Sequence, residues 1–334
     1  MRHKAIALYS GGLDSTLAIL LMQRQNIEVQ AVTFLTNFGC DAGDTSSCSK
    51  NPAPAAAQFG FKLKLCHLGE KFTQIVKKPR FGHGKNMNPC IDCRILMLRE
   101  AGDLMKMIGA DFVITGEVLG QRPMSQRRDT FPVIDRESGL KGRIVRPLSA
   151  KLLPITIPEE QGILQREKLL GLNGRTRKPQ MALAREFGLT DYPTPAGGCL
   201  LTDPIYSRRL QDLLRAVPDP DAEELSLLRL GRHFRMSKKC KIIVARNELE
   251  NNRIAQVKKS EDILMYAVNA GSPFVLLRGS DAGEFIEIGA ALCARYSDAK
   301  HLPEVTVCIA EGKRERTLKV KPADESMIEK YRVR

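Results

Sequence analysis

The feature that most constrains this chain is a glycine turn at its amino end. Residues 4–9 form a short apolar run. It passes directly into Ser10-Gly11-Gly12-Leu13-Asp14-Ser15-Thr16, and residues 15–25 then place Leu17, Leu20 and Leu21 at helical spacing. Two glycines let a backbone turn sharply and approach a ligand closely. The helix that follows offers free N–H groups and the positive end of its dipole to an anion. No Lys-Ser/Thr closes the loop, so it is not a kinase-type P-loop.

The pattern repeats downstream. Residues 28–35 are β-branched and apolar, 51–59 Ala-rich, 61–65 alternating, 93–108 amphipathic and 112–115 strand-like. Alternating strands and helices predict an α/β fold, a parallel doubly wound sheet. Prolines cluster at 204, 218 and 220, and beyond them strand-like runs (241–245, 274–277, 305–310, 316–320) mix with helical ones (247–257, 283–296). The expected domains are 1–203 and a small α+β domain, 204–334, which suits a chain of 334 residues. No apolar run approaches the ~20 residues of a membrane span. The apolar stretch 5–9 is too short for a signal-peptide core, and nine cysteines at irregular spacing argue against a disulfide framework. The expectation is a cytoplasmic protein with no membrane contact.

Basic residues outnumber acidic ones 52 to 38, and residues 1–150 hold 21 Lys/Arg against 13 Asp/Glu. A polyanionic partner is the natural reading, weighed against a merely soluble basic protein. Arg175, Arg177 and Lys178 form a basic stretch beside the cysteine segments in sequence.

The Ser10–Thr16 string resembles the pyrophosphate loop of the adenine-nucleotide α-hydrolase (PP-loop) family. That resemblance implies that Ser10, Gly11, Gly12, Ser15 and Thr16 hold the pyrophosphate of ATP and that Asp14 positions Mg2+. Thr115-Gly116-Glu117-Val118-Leu119-Gly120-Gln121, with Ser125-Gln126 and then Arg146-Pro147-Leu148, is similar to a segment of tRNA 4-thiouridine synthetases. It adds Gly116, Glu117 and Gln121 to the nucleotide site. Read without the resemblance, 116–126 is a polar loop leaving a strand's carboxyl end, where open α/β sheets bind ligands.

Cys90-Ile-Asp-Cys93 is followed, 106 residues beyond Cys93, by Cys199. A lone CxxC fits a redox pair, a zinc half-site or a cluster half-site. The arrangement looks like that of tRNA-thiolating PP-loop enzymes, which implies a 4Fe-4S iron–sulfur cluster on Cys90, Cys93 and Cys199. The rival is persulfide chemistry, in which one cysteine carries sulfur and another resolves it. A structural zinc or plain buried thiols are the bland alternative. For Cys40, Cys48, Cys66, Cys240, Cys293 and Cys308 a small buried apolar side chain is the default.

Two segments usual in such synthetases are not read here: an RNA-binding region before the loop and a rhodanese-type domain after it. That favours free sulfide as donor and leaves RNA docking to the C-terminal domain. Short blocks there (231–236, 244–251, 290–299) are similar to the RNA-binding domain of NFACT-type ribosome quality-control proteins, which makes His233, Arg235, Arg246 and Asn247 the candidate RNA contacts.

The expected function is an ATP-dependent, AMP- and pyrophosphate-forming tRNA sulfurtransferase making 4-thiouridine at tRNA position 8, with Cys90, Cys93, Cys199 and Asp14 catalytic. Partners on this reading are tRNA, sulfide or a cysteine-desulfurase sulfur donor, and a second copy of the chain in a homodimer. The alternatives are a 2-thiouridine or 2-thiocytidine synthase, an amidating PP-loop ligase, and a non-catalytic RNA-binding protein that holds ATP.

Overall fold

In the computed structural model of the chain, residues 2–39, 51–193 and 199–334 are described. Cys40 and Cys48 lie outside them, as does the 194–198 part of the Pro/Gly-rich turn before Cys199. The chain divides into two compact units, Met1–Thr202 and Asp203–Arg334.

The first unit is an α/β sandwich on a parallel sheet. Strands β1 (Lys4–Leu8), β2 (Glu28–Leu35), β3 (Lys62–His67), β4 (Phe112–Thr115) and β5 (Ile144–Val145) lie in the order β3-β2-β1-β4-β5. Helices α1 (Leu13–Gln23), α2 (Ala53–Phe59), α3 (Gly69–Lys77), α4 (Cys90–Ile108), α5 (Thr130–Glu137), α6 (Ile157–Glu160) and α7 (Lys178–Glu186) connect or flank them. The period-2 alternation of β1 sends its side chains to two separate cores. Ala5 and Ala7 pack with Leu13, Leu17 and Leu21 of α1 and Ala184 of α7. Ile6 and Leu8 pack with Ile95, Leu98 and Leu104 of α4 and Ile134 of α5. The sheet is therefore covered on both faces, as a parallel sheet must be.

Strand order reverses beside β1, so the carboxyl ends of β1 and β4 flank the crevice where open α/β sheets bind ligands. Both loops singled out in the sequence, 10–16 and 116–126, leave those two strand ends. α1 begins two residues earlier than its apolar spacing predicts, and α4 three residues earlier, so that Cys90-Ile-Asp-Cys93 forms its first turn.

The second unit is the α+β domain expected from the strand and helix runs after residue 204. Its antiparallel sheet runs β11-β10-β8-β9-β7-β6, built from β6 (Arg232–Arg235), β7 (Cys240–Val244), β8 (Ile263–Ala267), β9 (Val275–Gly279), β10 (Val305–Glu311) and β11 (Arg314–Val320). Helices α8 (Pro204–Ala216), α9 (Ala222–Leu227), α10 (Glu248–Val257), α11 (Ile286–Tyr296) and α12 (Glu325–Tyr331) complete it. The main core lies between the sheet and α11, with Met265, Leu277 and Ile309 facing Ala290 and Ala294. Cys240, Cys293 and Cys308 are buried thiols, while Cys66 is half-buried. No helix among the described residues is long and apolar enough to cross a membrane.

One contact locks the two ligand loops together. A Cβ on Gly116 would stand 2.5 Å from the Ser15 backbone nitrogen and 2.6 Å from the Asp14 carbonyl carbon, so β4's exit is pressed against the first turn of α1. Gly116→Ala must push the two backbones apart and should destabilise the first unit by about 1–3 kcal/mol. A lowered thermal midpoint is the measurement; an unchanged one would show that the loops are not in contact.

Candidate active site

The glycine loop is shaped by its own side chains. Gly11 adopts φ +71°, a conformation open to glycine, and Gly12 precedes α1 in an extended conformation with no side-chain cap. Ser15 Oγ and Thr16 Oγ1 instead donate to the Gly12 carbonyl at 2.9 and 3.0 Å, and the Ser10 backbone N–H donates to Ser15 Oγ at 3.3 Å. This leaves a bare helix amino end at the sheet's carboxyl edge, which suits an anion.

Asp14 stands in that first turn. Gln121 Nε2 donates to its Oδ2 at 3.0 Å, while its buried Oδ1 has no hydrogen-bond partner among the described residues. Burial raises the Asp14 carboxyl above its ordinary value; the Gln121 hydrogen bond, Arg177, Gln180 and Arg122 oppose this. A lone carboxylate oxygen beside a phosphate-binding loop fits Mg2+, which is commonly held by one or two carboxylates plus substrate phosphates.

Gly116, Gly120 and Gln121 belong to the second loop. Glu117 is 2% exposed and lies in a buried ion-pair network. Its carboxylate meets Arg94 Nε and Arg146 Nε, both at 3.0 Å, and accepts from Thr115 Oγ1 at 3.1 Å. Arg146 continues to Asp135 through two bonds of 3.0 and 2.7 Å and lies 3.9 Å over the Phe131 ring. Burial alone would raise the Glu117 carboxyl, but Arg94 and Arg146 outweigh it and hold the group below the usual carboxylate range. Glu117 was expected to bind cofactor; its contacts are those of a post that fixes the loop between α4 and β5.

The cysteines come together through the chain before α4. Asp92, between the two thiols, accepts from the Arg80 and Phe81 backbone N–H groups at 3.0 Å each and folds residues 80–89 over the helix start. Gly84 in that fold sits so close to Met124 that a Cβ would meet its sulfur at 1.9 Å, which seats the fold beside the second loop. The segment after Cys199 docks on the same turn: the Met87 N–H donates to the Leu201 carbonyl at 3.1 Å and Asn86 Nδ2 to the Thr202 carbonyl at 2.7 Å. Cys199 is thereby carried to Cys90 and Cys93. Burial pushes the Cys93 thiol up to about 12, with Arg94 and Arg122 opposing and Cys199 and Cys90 adding to it. Burial also raises Cys90, against Arg122 and Arg94. Arg122 thus acts on Asp14, Cys90 and Cys93, so the glycine loop and these cysteines share one electrostatic neighbourhood. The thiols do not, as placed, form a ligand set: no group of three His, Cys, Asp or Glu among the described residues is arranged to hold a metal ion. The 4Fe-4S expectation on Cys90, Cys93 and Cys199 finds no such site among the described residues.

The candidate RNA residues fall differently. Arg175 and Lys178 are exposed, whereas Arg177 turns inward, its Nε buried. In the second unit His233 is 1% exposed, with its ring bonded to the Leu230 carbonyl at 2.8 Å. Burial, with Lys241 and Arg209 nearby, holds it well below the ordinary histidine range and therefore neutral. The expectation that His233 touches RNA is corrected: a side chain with no surface cannot reach a ligand. Arg235 forks onto Asp212 at 3.0 and 2.8 Å. Arg246 is paired with Glu250, and the Asn247 side chain caps α10 by accepting from the Glu250 N–H at 3.0 Å. These three hold turns of the fold together. Sequence reading missed Arg94, Arg122, Asp135 and Gln180; Arg94 directly follows the Cys90–Cys93 motif and Arg122 lies within the 116–126 loop, while Asp135 and Gln180 lie in no recognisable string.

Residues 1–151 match the family described as thiamine biosynthesis protein (ThiI), and residues 231–332 match the NFACT protein RNA binding domain. A probable tRNA sulfurtransferase of Thermococcus kodakarensis is 29% identical over 154 residues, 43% of this chain and 36% of that protein. A tRNA-specific 2-thiouridylase of Pseudomonas paraeruginosa is 25% identical over 248 residues, 70% of this chain and 60% of the relative. The chain thus spans less than two thirds of the length of either relative. A solved 4-thiouridine synthetase–RNA complex with bound ATP aligns at TM-score 0.35 and 19% identity, covering 56% of this chain and 52% of that one.

The ion-pair network gives a pH-dependent prediction. Because the folded Glu117 carboxyl lies below its unfolded value, its stabilisation is complete above the ordinary carboxylate range and is lost as pH falls through the folded value. Glu117→Ala takes away the carboxylate that Arg94 and Arg146 share, leaving Arg146 with Asp135 alone, and should cost about 3–5 kcal/mol at pH 7. The gap from wild type should narrow on acidification, in melts recorded from pH 7 to pH 3.

Proposed function

We propose that this chain, in which a ThiI-family unit precedes an NFACT-type RNA-binding unit, is an ATP-dependent tRNA sulfurtransferase. The observation that carries the reading is the convergence of a pyrophosphate-type loop with three thiols from two distant segments, spanned by Arg122. Amidation needs no thiol, and an RNA-binding protein needs no phosphate loop.

The chemistry follows from what each part offers. A uracil extruded from its stack presents its carbonyl oxygen to the α-phosphorus of ATP, at an unstacking cost of a few kcal/mol. The oxygen–phosphorus bond forms and pyrophosphate leaves. The bare amino end of α1 and the loop N–H groups stabilise the charge that grows on it. Mg2+ on Asp14 would supply further neutralisation of the same oxygens. The base now carries AMP in place of a poor leaving oxygen. Cys90, Cys93 and Cys199 form the sulfur-delivery face. One of them carries a persulfide, whose outer sulfur attacks the activated carbon and expels AMP. A second cysteine then attacks the remaining S–S bond, which frees the thiocarbonyl and leaves a protein disulfide for an external thiol to reduce. Recharging takes sulfur from a donor such as a cysteine desulfurase. Gly116, Gly120 and the Glu117 network keep the second loop in register for the first.

The product we propose is 4-thiouridine at tRNA position 8, in keeping with the name of the solved synthetase and with the 115–126 segment. The 2-thiouridylase relative, matched over 70% of this chain, supports 2-thiouridine as the second reading. Exposed Arg175 and Lys178, with the second unit, are the proposed tRNA contacts.

Mass spectrometry of nucleosides from bulk tRNA, with and without the gene, tests the reading. The expected result is selective loss of 4-thiouridine, restored by wild type and lowered at least ~100-fold with Asp14→Asn or Cys199→Ser. Loss of a 2-thio nucleoside would move the substrate and keep the mechanism. Iron and acid-labile sulfide in anaerobically purified protein, absent from Cys199→Ser, would return the sulfur step to a cluster. Tight tRNA binding with no pyrophosphate released would sink the enzymatic reading.

A further inference from the structure

α7 packs parallel to α1. At their carboxyl ends Arg24 pairs with Glu186 at 2.6 Å and lies 4.1 Å from the centre of the Phe187 ring. Ten residues back along α1 is Asp14, and nine back along α7 is Arg177, so at about 1.5 Å per residue the two stand nearly level. The segment leading into α7 is fixed from the other side. The Gly174 N–H donates to the Leu119 carbonyl at 2.8 Å, and a Cβ on Gly120 would meet Asn173 Oδ1 at 2.8 Å. The amino ends of both helices therefore open on the same space, which the second loop borders.

That space is lined by polar atoms with nothing to bind. Gln180 is 1% exposed and lies close enough to Asp14 to lower its carboxyl, yet neither its Nε2 nor its Oε1 makes a hydrogen bond of good geometry among the described residues. Arg177 Nε and Asp14 Oδ1 are buried in the same condition. Native proteins seldom leave such groups unmet, and several in one place point to an absent polar ligand. Two helix amino ends and a guanidinium select for an anion, while the Asp14 carboxylate beside them calls for a cation to travel with it. A metal-bound polyphosphate satisfies both.

We propose that Arg177 and Gln180 form the second wall of the nucleotide site, gripping the β,γ-phosphate end of Mg·ATP from α7, opposite Ser10–Thr16. The inference rests on the ATP reading of the preceding subsection and adds residues to it. Arg177, grouped by sequence with the RNA-facing cations, belongs on this account to the nucleotide. Its guanidinium stays with pyrophosphate as it departs, and the Gln180 amide bridges Asp14 and the phosphates.

Titration calorimetry on the full chain with Mg·ATP, pyrophosphate and AMP tests it. Arg177→Ala should weaken ATP and pyrophosphate by about tenfold and leave AMP unchanged, since AMP lacks the groups Arg177 holds. Gln180→Ala should weaken ATP in the same direction, and Arg185→Ala, exposed near the far end of α7, should not. Thermal melts check folding, with Arg177→Gln as a milder variant carrying the same expectation. If wild type binds ATP and folded Arg177 variants bind ATP and pyrophosphate equally well, the proposal fails and the ATP reading stands. The proposal also fails if those variants lose tRNA affinity alone, which would make Arg177 an RNA contact. Wild type that binds no ATP overturns both.

Discussion

A carboxylate shut away from water requires positive partners, and the first unit is arranged around one such group. Glu117 lies at the carboxyl end of β4, between Arg94 of α4 and Arg146 just past β5. Through them it joins the helix that bears Cys90 and Cys93, the loop that bears Gln121, and α5 by way of Asp135. Remove the charge and three site-bearing segments lose their common anchor, while Arg94 loses this ion pair and Arg146 is left with Asp135 alone. Stacking of Arg146 on Phe131 and the hydrogen bonds around Ser149, which receives the Leu119 N–H and donates to the Leu172 carbonyl, extend the same scaffold toward α7.

This arrangement separates support from chemistry. Groups that hold the loops are met by neighbours: Asp92 and Asp135 by hydrogen bonds to both carboxylate oxygens, Glu117 by its ion pairs with Arg94 and Arg146. Groups that face the crevice are not: Asp14 Oδ1, Arg177 Nε and the Gln180 amide remain unmatched among the described residues. Stability is spent where the fold needs rigidity, and unmet bonding capacity is kept where a substrate can use it. The second unit shows only the first pattern at the residues first suspected of binding RNA, since Arg235, Arg246 and Asn247 are all engaged by neighbours.

How much of this was readable beforehand depended on range. The glycine loop was legible because its meaning is local: a strand, a turn that needs Gly11 at positive φ, and a helix start. The parallel sheet followed from alternation, and the position of Cys90 and Cys93 at a helix start from three or four neighbouring residues. Glu117 stands out by its motif, but its pairing with Arg94 and Arg146 was not legible, because those partners lie 23 positions before and 29 after it. His233 looked like a surface base, and only the packing of β6 showed it buried.

The sequence by itself therefore determined the elements, their parallel pairing and a glycine turn at a helix start, since backbone torsion and side-chain period act within a few residues. The tertiary structure decided which distant groups share a space: it sets Cys199 beside the Cys90 and Cys93 that the resemblance had grouped with it, and it alone brings Arg177 and Gln180 to Asp14. Those meetings depend on long-range contacts such as Arg24–Glu186 and Met87–Leu201, whose partners lie more than a hundred residues apart and leave no local trace.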